Sequence, residues 1–277
     1  MILDKILKFK ISIIILLPGI FFTGEFTMPQ IKNENKTKME TTTITVIFDN
    51  NPFLKELQTA WGFACLIEVE KTNLLFDTGV NGSILLSNMS KLDIHPEDID
   101  LVFLSHFHHD HTGGLYDFLQ SNSDVTIYYP QSFPPQLVES MKQSGANLVP
   151  ISSFQRLQGN IFSLGELGGS IPEQSIAIRT SEEIVVITGC AHPGIIKILE
   201  TAKSSFPKEK IYLAMGGFHL LHQTENELKS TVNQILKMEI LNIGPSHCSG
   251  DAARQMFREI YKDNYIEIGA GKKIIIK

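Results

Sequence analysis

Cysteine is scarce in this chain. Its 277 residues hold three: Cys65, Cys190 and Cys248, scattered, odd in number and without a CxxC pair. That argues against a disulfide framework. An excess of basic charge is also lacking. Lys and Arg number 24 against 30 Asp and Glu, a formal charge of −6, which argues against a broad nucleic-acid-binding face. No tandem repeat of short fixed period is present. Histidine is missing from the whole middle of the chain, between His111 and His192. Apolar side chains, by contrast, make up 43% of the residues. That is enough for the core of one large domain or two small ones.

Residues 1–40 read as a segment apart. Lys5, Lys8 and Lys10 precede an apolar run from Ile11 to Phe22, the order found in signal peptides. The run is short for a membrane span, Pro18-Gly19 interrupts it, and no clean small-x-small cleavage site follows. Gln30 to Glu40 has the composition of a solvated linker. We therefore expect a signal-like or anchor segment plus linker over 1–40, and one domain over 41–277. A real signal in residues 1–27 implies export or a membrane tether through residues 1–22; otherwise residence is cytoplasmic. The other reading is an upstream extension of a protein that starts at Met28 or Met39.

The chemistry concentrates in Leu101 to Leu115, LVFLSHFHHDHTGGL. Apolar and small residues run up to Ser105, and four candidate ligands follow: His106, His108, Asp110 and His111. In extended chain, side chains two apart point the same way, so His106 and His108 can converge on one ion. Where the chain tightens toward a helix, Asp110 and His111 swing to the other side and can hold a second. Imidazole with carboxylate suits zinc, iron or manganese.

Elsewhere the apolar periodicity predicts strands over Thr43–Phe48, Phe63–Glu70, Asn73–Phe76, Val125–Tyr129, Asn147–Ile151, Ser175–Arg179 and Ile184–Thr188. It predicts helices over Ile84–Leu92, Pro134–Ser144, Ile195–Ser204, Leu228–Met238 and Ala252–Tyr261, and a loop with one strand over 152–174. Further strands are expected over Ile211–Met215, Ile240–Ile243, Tyr265–Ile268 and Lys273–Ile276. Four times an apolar strand ends in a turn carrying histidine, which is where α/β folds place sites. A β-rich opening of each half, followed by strand–helix alternation, points to two similar halves packed as an αββα sandwich.

His192, His219 and His247 each sit at a strand end. We assign one ion to His106, His108 and His192, and a second to Asp110, His111 and His247. Two ions about 3.5–4 Å apart share a water, lower its pKa and clamp a phosphoryl or carbonyl oxygen. Asp110 is the candidate proton acceptor. His219 is expected to touch substrate, and Arg254 to pair with a phosphate. Asp77, in Asp77-Thr78-Gly79, is read either as a carboxylate orienting a ligand histidine or as a turn former.

At these residues the chain resembles the metallo-β-lactamase superfamily, whose HxHxDH signature is matched by His106, His108, Asp110 and His111. The resemblance covers about Thr43 to Ile276 and implies an αββα four-layer sandwich of mixed α/β (α+β) class with a dinuclear site. SHFHHDHTGGL, VITGCAHPGI, MGGFHL and PSHCSG together are similar to one subgroup. Its archaeal members are named 7,8-dihydropterin-6-methyl-4-(β-D-ribofuranosyl)-aminobenzene-5′-phosphate synthase. That similarity implies condensation of a pterin diphosphate with an aminobenzene ribose phosphate, releasing diphosphate. Hydrolytic members of the superfamily carry a bridging Asp in a strand-end TGD, where this chain has Thr188-Gly189-Cys190. Three options stay open: Cys190 ligates as thiolate, a hydroxide alone bridges, or one ion binds tightly; Glu173 is a further carboxylate able to reach the site from its loop.

The resulting expectation is a metal-dependent enzyme acting on a phosphorylated small molecule by transferase chemistry, with two divalent ions, zinc first and manganese, iron or magnesium after it. The alternatives are a metallo-hydrolase of phosphoester or lactone bonds and a non-catalytic metal- or ligand-binding protein. No nucleic-acid partner is expected, and the oligomeric state is left open.

Overall fold

β-Branched and apolar runs set the strands. The computed structural model describes residues 41–277, residue 182 excepted; the reading of residues 1–40 lies outside the described residues. In chain order the first half holds β1 (Thr42–Asp49), β2 (Phe63–Val69), β3 (Thr72–Phe76), β4 (Leu101–Phe103), β5 (Thr126–Pro130) and β6 (Asn147–Ile151). The second half holds β7 (Gln155–Gln158), β8 (Ile161–Leu167), β9 (Glu173–Arg179), β10 (Glu183–Thr188), β11 (Lys210–Gly217) and β12 (Asn242–Ser246). A last strand, β13 (Lys273–Ile276), returns to pair antiparallel with β1. The helices are α1 (Gly82–Lys91), α2 (His109–Thr112), α3 (Leu115–Ser121), α4 (Pro135–Lys142), α5 (Ile195–Ser205), α6 (Glu225–Lys237) and α7 (Asp251–Tyr261).

Two sheets result, ordered β13-β1-β2-β3-β4-β5-β6 and β12-β11-β10-β9-β8-β7. Each is antiparallel at one end and parallel at the other, where helices cross over between strands. The run Glu183–Thr188 shows why both faces are covered. Ile184 and Val186 join the core under α5, α6 and α7, whereas Val185 and Ile187 join the core between the sheets. Such a strand reads as continuously apolar because neither face meets water. Phe63, Phe76 and Phe103 run through that central core, Phe63 edge-on to Phe76 at 6.0 Å and Phe76 stacked on Phe103 at 5.4 Å. A third core packs α1, α3 and α4 on the outer face of the first sheet. The layers are therefore helix, sheet, sheet, helix, as expected. Helix starts are locally encoded: Thr224 and Glu227 close a capping box on α6, a device worth about 1 kcal/mol.

Two expectations need correction. Residues 152–174 carry two strands, β7 and β8, joined where Gly159 takes φ +50; the polar Gln-Arg-Leu-Gln of β7 hid the first. Tyr265–Ile268 forms no strand among the described residues, only an isolated bridge from Tyr265 to Ile243. Arg254 donates to the Ile268 carbonyl at 3.2 Å, taking an acceptor that a ladder would need.

Candidate metal centre

The ends of β3, β4, β10, β11 and β12 meet along one edge of the two sheets. β4 runs straight into Ser105 and His106, and α2 begins at His109, so the motif turns from extended to helical inside the site. Asp77, at the end of β3, organises it from beneath. This buried carboxylate accepts from the Ser105 N–H and Oγ–H, each at 2.7 Å, and lies 2.7 Å from His111 Nδ1. Ser105 Oγ in turn sits 2.9 Å from His106 Nδ1. Since that hydroxyl donates to Asp77, it accepts from His106 Nδ1–H, which leaves a lone pair on Nε2. One carboxylate thus fixes the tautomers of two imidazoles.

His106, His108 and His192 bring one nitrogen each within 4.8 Å of one another, with His106 Nε2 3.1 Å from His108 Nδ1. Burial, then the crowd of neighbouring imidazoles, holds His106 well below its ordinary pKa and His192 at about 4. This group is neutral at neutral pH, so each imidazole has a lone pair to offer an ion. Asp110, His111, Cys190 and His247 form a second group under the same distance limit. Asp110 Oδ2 is 3.3 Å from His247 Nε2, and Cys190 Sγ is 3.2 Å from His111 Nε2. Burial works against the charge on Asp110, but His247 and His111 prevail and hold its carboxyl well below the usual range. Burial likewise opposes protonation of His111, yet Asp77 and then Asp110 raise it to about 9. The second group therefore carries both a fixed anion and an imidazole that keeps its proton.

The donor set fits divalent ions. His192 Nε2 and His247 Nε2 are buried without a hydrogen-bond partner, although buried polar atoms nearly always have one. His247 Nδ1 is 2.9 Å from Asn50 Oδ1, so the opposite nitrogen is aimed into the cluster as a metal ligand would be. Cys190 also belongs to a third group with His192 and His219, which puts its sulfur between the two triads.

The strand-end turns are strained toward this arrangement. Among the described residues, eight non-glycine residues have positive φ, and four of them, Asp77, Ala191, His219 and His247, lie at the site. Such conformations cost on the order of 1–3 kcal/mol each and persist where surrounding bonds over-determine them. Glu173 supplies those bonds at the Cys190 turn. Its fully buried carboxylate accepts from the N–H groups of Cys190 (2.9 Å), Ala191 (2.8 Å) and His192 (2.8 Å). Burial pushes its pKa up to about 7 even so.

The structure gathers His106, His108, Asp110, His111, His192, His247 and Cys190, and sets Asp77 on His111. His219 is exposed at the rim with its ring 4.4 Å from His192, where a substrate could meet it. Arg254 stands apart from the expected phosphate role. Its guanidinium donates to Asn51 Oδ1, Glu267 Oε1 and the Ile268 carbonyl, so it braces the loop that carries Asn50. His109 and His222 are exposed and in neither triad. Ser105 and Asn50 hold the site without having been singled out as site residues, whereas Glu173, raised as able to reach the site from its loop, holds the Cys190 turn. Asn50 carried only a turn signal, and Glu173 lay in a stretch read as loop.

The family profile described as the metallo-β-lactamase superfamily matches residues 62–247. The 7,8-dihydropterin-6-methyl-4-(β-D-ribofuranosyl)-aminobenzene-5′-phosphate synthase of Methanocaldococcus jannaschii is 30% identical, across 81% of this chain and 92% of its own length. An uncharacterised protein of the same archaeon, MJ0448, is 26% identical over 82% of this chain and 98% of its own. Among solved structures, Tm1679, a metal-dependent hydrolase of the β-lactamase superfamily, superposes with a TM-score of 0.69 at 26% identity, covering 84% of this chain and 98% of that one. The chain belongs to the metallo-β-lactamase superfamily and is one of its metal-dependent enzymes.

Proposed function

We propose that this enzyme joins a phosphorylated heterocycle of the pterin class to an aromatic amine with loss of diphosphate, as the name of its archaeal relative suggests. The observation that supports this best is the second donor group. It holds a thiol, Cys190, where hydrolytic relatives carry a bridging carboxylate, beside two imidazoles and the ionised Asp110. Two divalent ions bound here, His106, His108 and His192 holding one and Asp110, His111 and His247 with Cys190 the other, would supply Lewis acidity toward a diphosphate leaving group. Zinc suits this mixture of imidazole, carboxylate and thiolate.

The chain's own residues divide the remaining work. Asp77 and Ser105 fix the imidazole tautomers. Glu173 fixes the turn that presents Cys190 and His192. His247 and His111 hold Asp110 as an anion, which suits it as a ligand beside the proton-acceptor role expected of it. A hydrogen bond with Cys248 raises the pKa of His219 despite burial, which favours contact between its ring and a phosphate.

The test is diphosphate release from a dihydropterin diphosphate with and without the aminobenzene ribose phosphate. Release that requires the amine supports the transferase. Release of p-nitrophenol from a phosphodiester, with no amine dependence, favours the hydrolase reading to which the Tm1679 likeness lends weight.

A further inference from the structure

Beside the second donor group stands an aromatic side chain that the metal chemistry does not use. Trp61 is the chain's one tryptophan. Its ring lies 4.7 Å from the His247 ring, tilted by 56°, yet it stays 46% exposed. Large apolar side chains left half in water need an explanation when they border a site. Its position is built in by its neighbour. Gly62 has φ +136, and a Cβ there would meet the Asp110 carbonyl oxygen at 2.4 Å. Only glycine lets this segment lie against the metal-site loop, and that close approach sets Trp61 next to His247. A second exposed apolar residue, Leu221, at 47%, borders the same turn. Its N–H donates to the Cys248 carbonyl at 3.2 Å, and its side chain lies beside Gly250.

We propose that Trp61 is the stacking wall for the planar heteroaromatic ring of the substrate, with Leu221 contributing apolar contact along the same turn. The assignment rests on the function proposed above and extends it by naming the residue that recognises the ring. The physical case is one of division of labour. A phosphorylated heterocycle presents an anionic end and a flat, weakly hydrated end. The donor groups and His219 suit the first. An exposed indole suits the second, since stacking on an aromatic face contributes roughly tenfold or more in affinity. The His247 ring is not itself the platform, because it is buried at 1% exposure with Trp61 packed against it.

A single tryptophan makes the test direct, because intrinsic indole emission reports on this position alone. The metal-loaded full chain is titrated with 6-hydroxymethylpterin, with inorganic diphosphate and with ribose 5-phosphate, correcting for absorbance by the pterin. Binding is measured in parallel by calorimetry for wild type, Trp61→Ala and Trp61→Phe, each checked for an unchanged thermal midpoint. The expected result is quenching by the pterin and not by ribose 5-phosphate. Pterin affinity should fall at least tenfold in Trp61→Ala and stay within about threefold of wild type in Trp61→Phe, while diphosphate affinity is unchanged. Pterin binding of equal strength in wild type and Trp61→Ala overturns the stacking wall and leaves the proposed function standing. Diphosphate binding with no pterin binding to the wild type overturns both.

Discussion

Asp77 Oδ2 and His111 Nδ1 lie 2.7 Å apart, with both side chains fully buried. The bond leaves Nε2 of His111 facing the donor group, and it ties Nδ1 to the same carboxylate that anchors Ser105 and, through it, His106.

Replacing Asp77 by Asn should therefore affect both donor groups. An amide offers one acceptor oxygen where the carboxylate serves three donors. Metal affinity is expected to fall about 10–100-fold, read by competition with a chromogenic chelator. Unchanged affinity would remove Asp77 from the role given to it.

The raised pKa of His111, about 9 against an ordinary 6.5, carries a pH signature with a definite sign. In the metal-free protein the protonated form is favoured by folding. That stability is fully present below about 6.5 and is lost as pH rises through about 9. The thermal midpoint of the metal-free enzyme should fall across this window through this group. An ion entering the second group must displace this proton, and that of the Cys190 thiol where it ligates as thiolate, so its apparent affinity should rise by at least about tenfold per pH unit up to about pH 9. A chelator-buffered titration at pH 7, 8 and 9 reads this, and a flat profile would contradict it.

Cys190→Ala should weaken one ion and spare the other, because Cys190 groups with Asp110, His111 and His247, whereas the His106, His108 and His192 triad is complete without it. Metal analysis after gel filtration should drop from two equivalents toward one. In the cobalt-substituted enzyme the thiolate charge-transfer absorption should vanish.

Arg254→Ala should act on stability more than on phosphate recognition. Three acceptors lose their donor, and bonds from a charged donor contribute roughly 1.5–3 kcal/mol each at most. The midpoint of denaturant unfolding should shift down accordingly. Arg254→Lys should recover little, since an ammonium cannot serve all three acceptors with the guanidinium's geometry.

The sequence exposed the donor residues well and their supports poorly, for one physical reason. His106, His108, Asp110 and His111 are local, so the alternation of extended chain followed by a helical turn orders them. His192 and His247 end apolar strands whose destination in a sandwich is shared. The four layers were equally legible, because runs such as Glu183–Thr188 are apolar on both faces. The supports depend on contacts made across the fold. Asn50 and His247 are 197 positions apart, and Glu173 reaches a turn 17 residues on. No local pattern marks such pairs. Arg254 shows the converse: a turn into a helix beside the candidate site looks suited to phosphate, but an amide oxygen, a carboxylate and a carbonyl from distant residues occupy its guanidinium.

The two sheets contribute unequally placed halves of each donor group: His106 to His111 follow β4 of one, while Cys190, His192 and His247 follow β10 and β12 of the other. Bound ions then rivet one half of the molecule to the other. Each held at a thousandfold excess over its dissociation constant would add about 4 kcal/mol to the folded state, and would make separation of the halves and loss of the ions a single cooperative event.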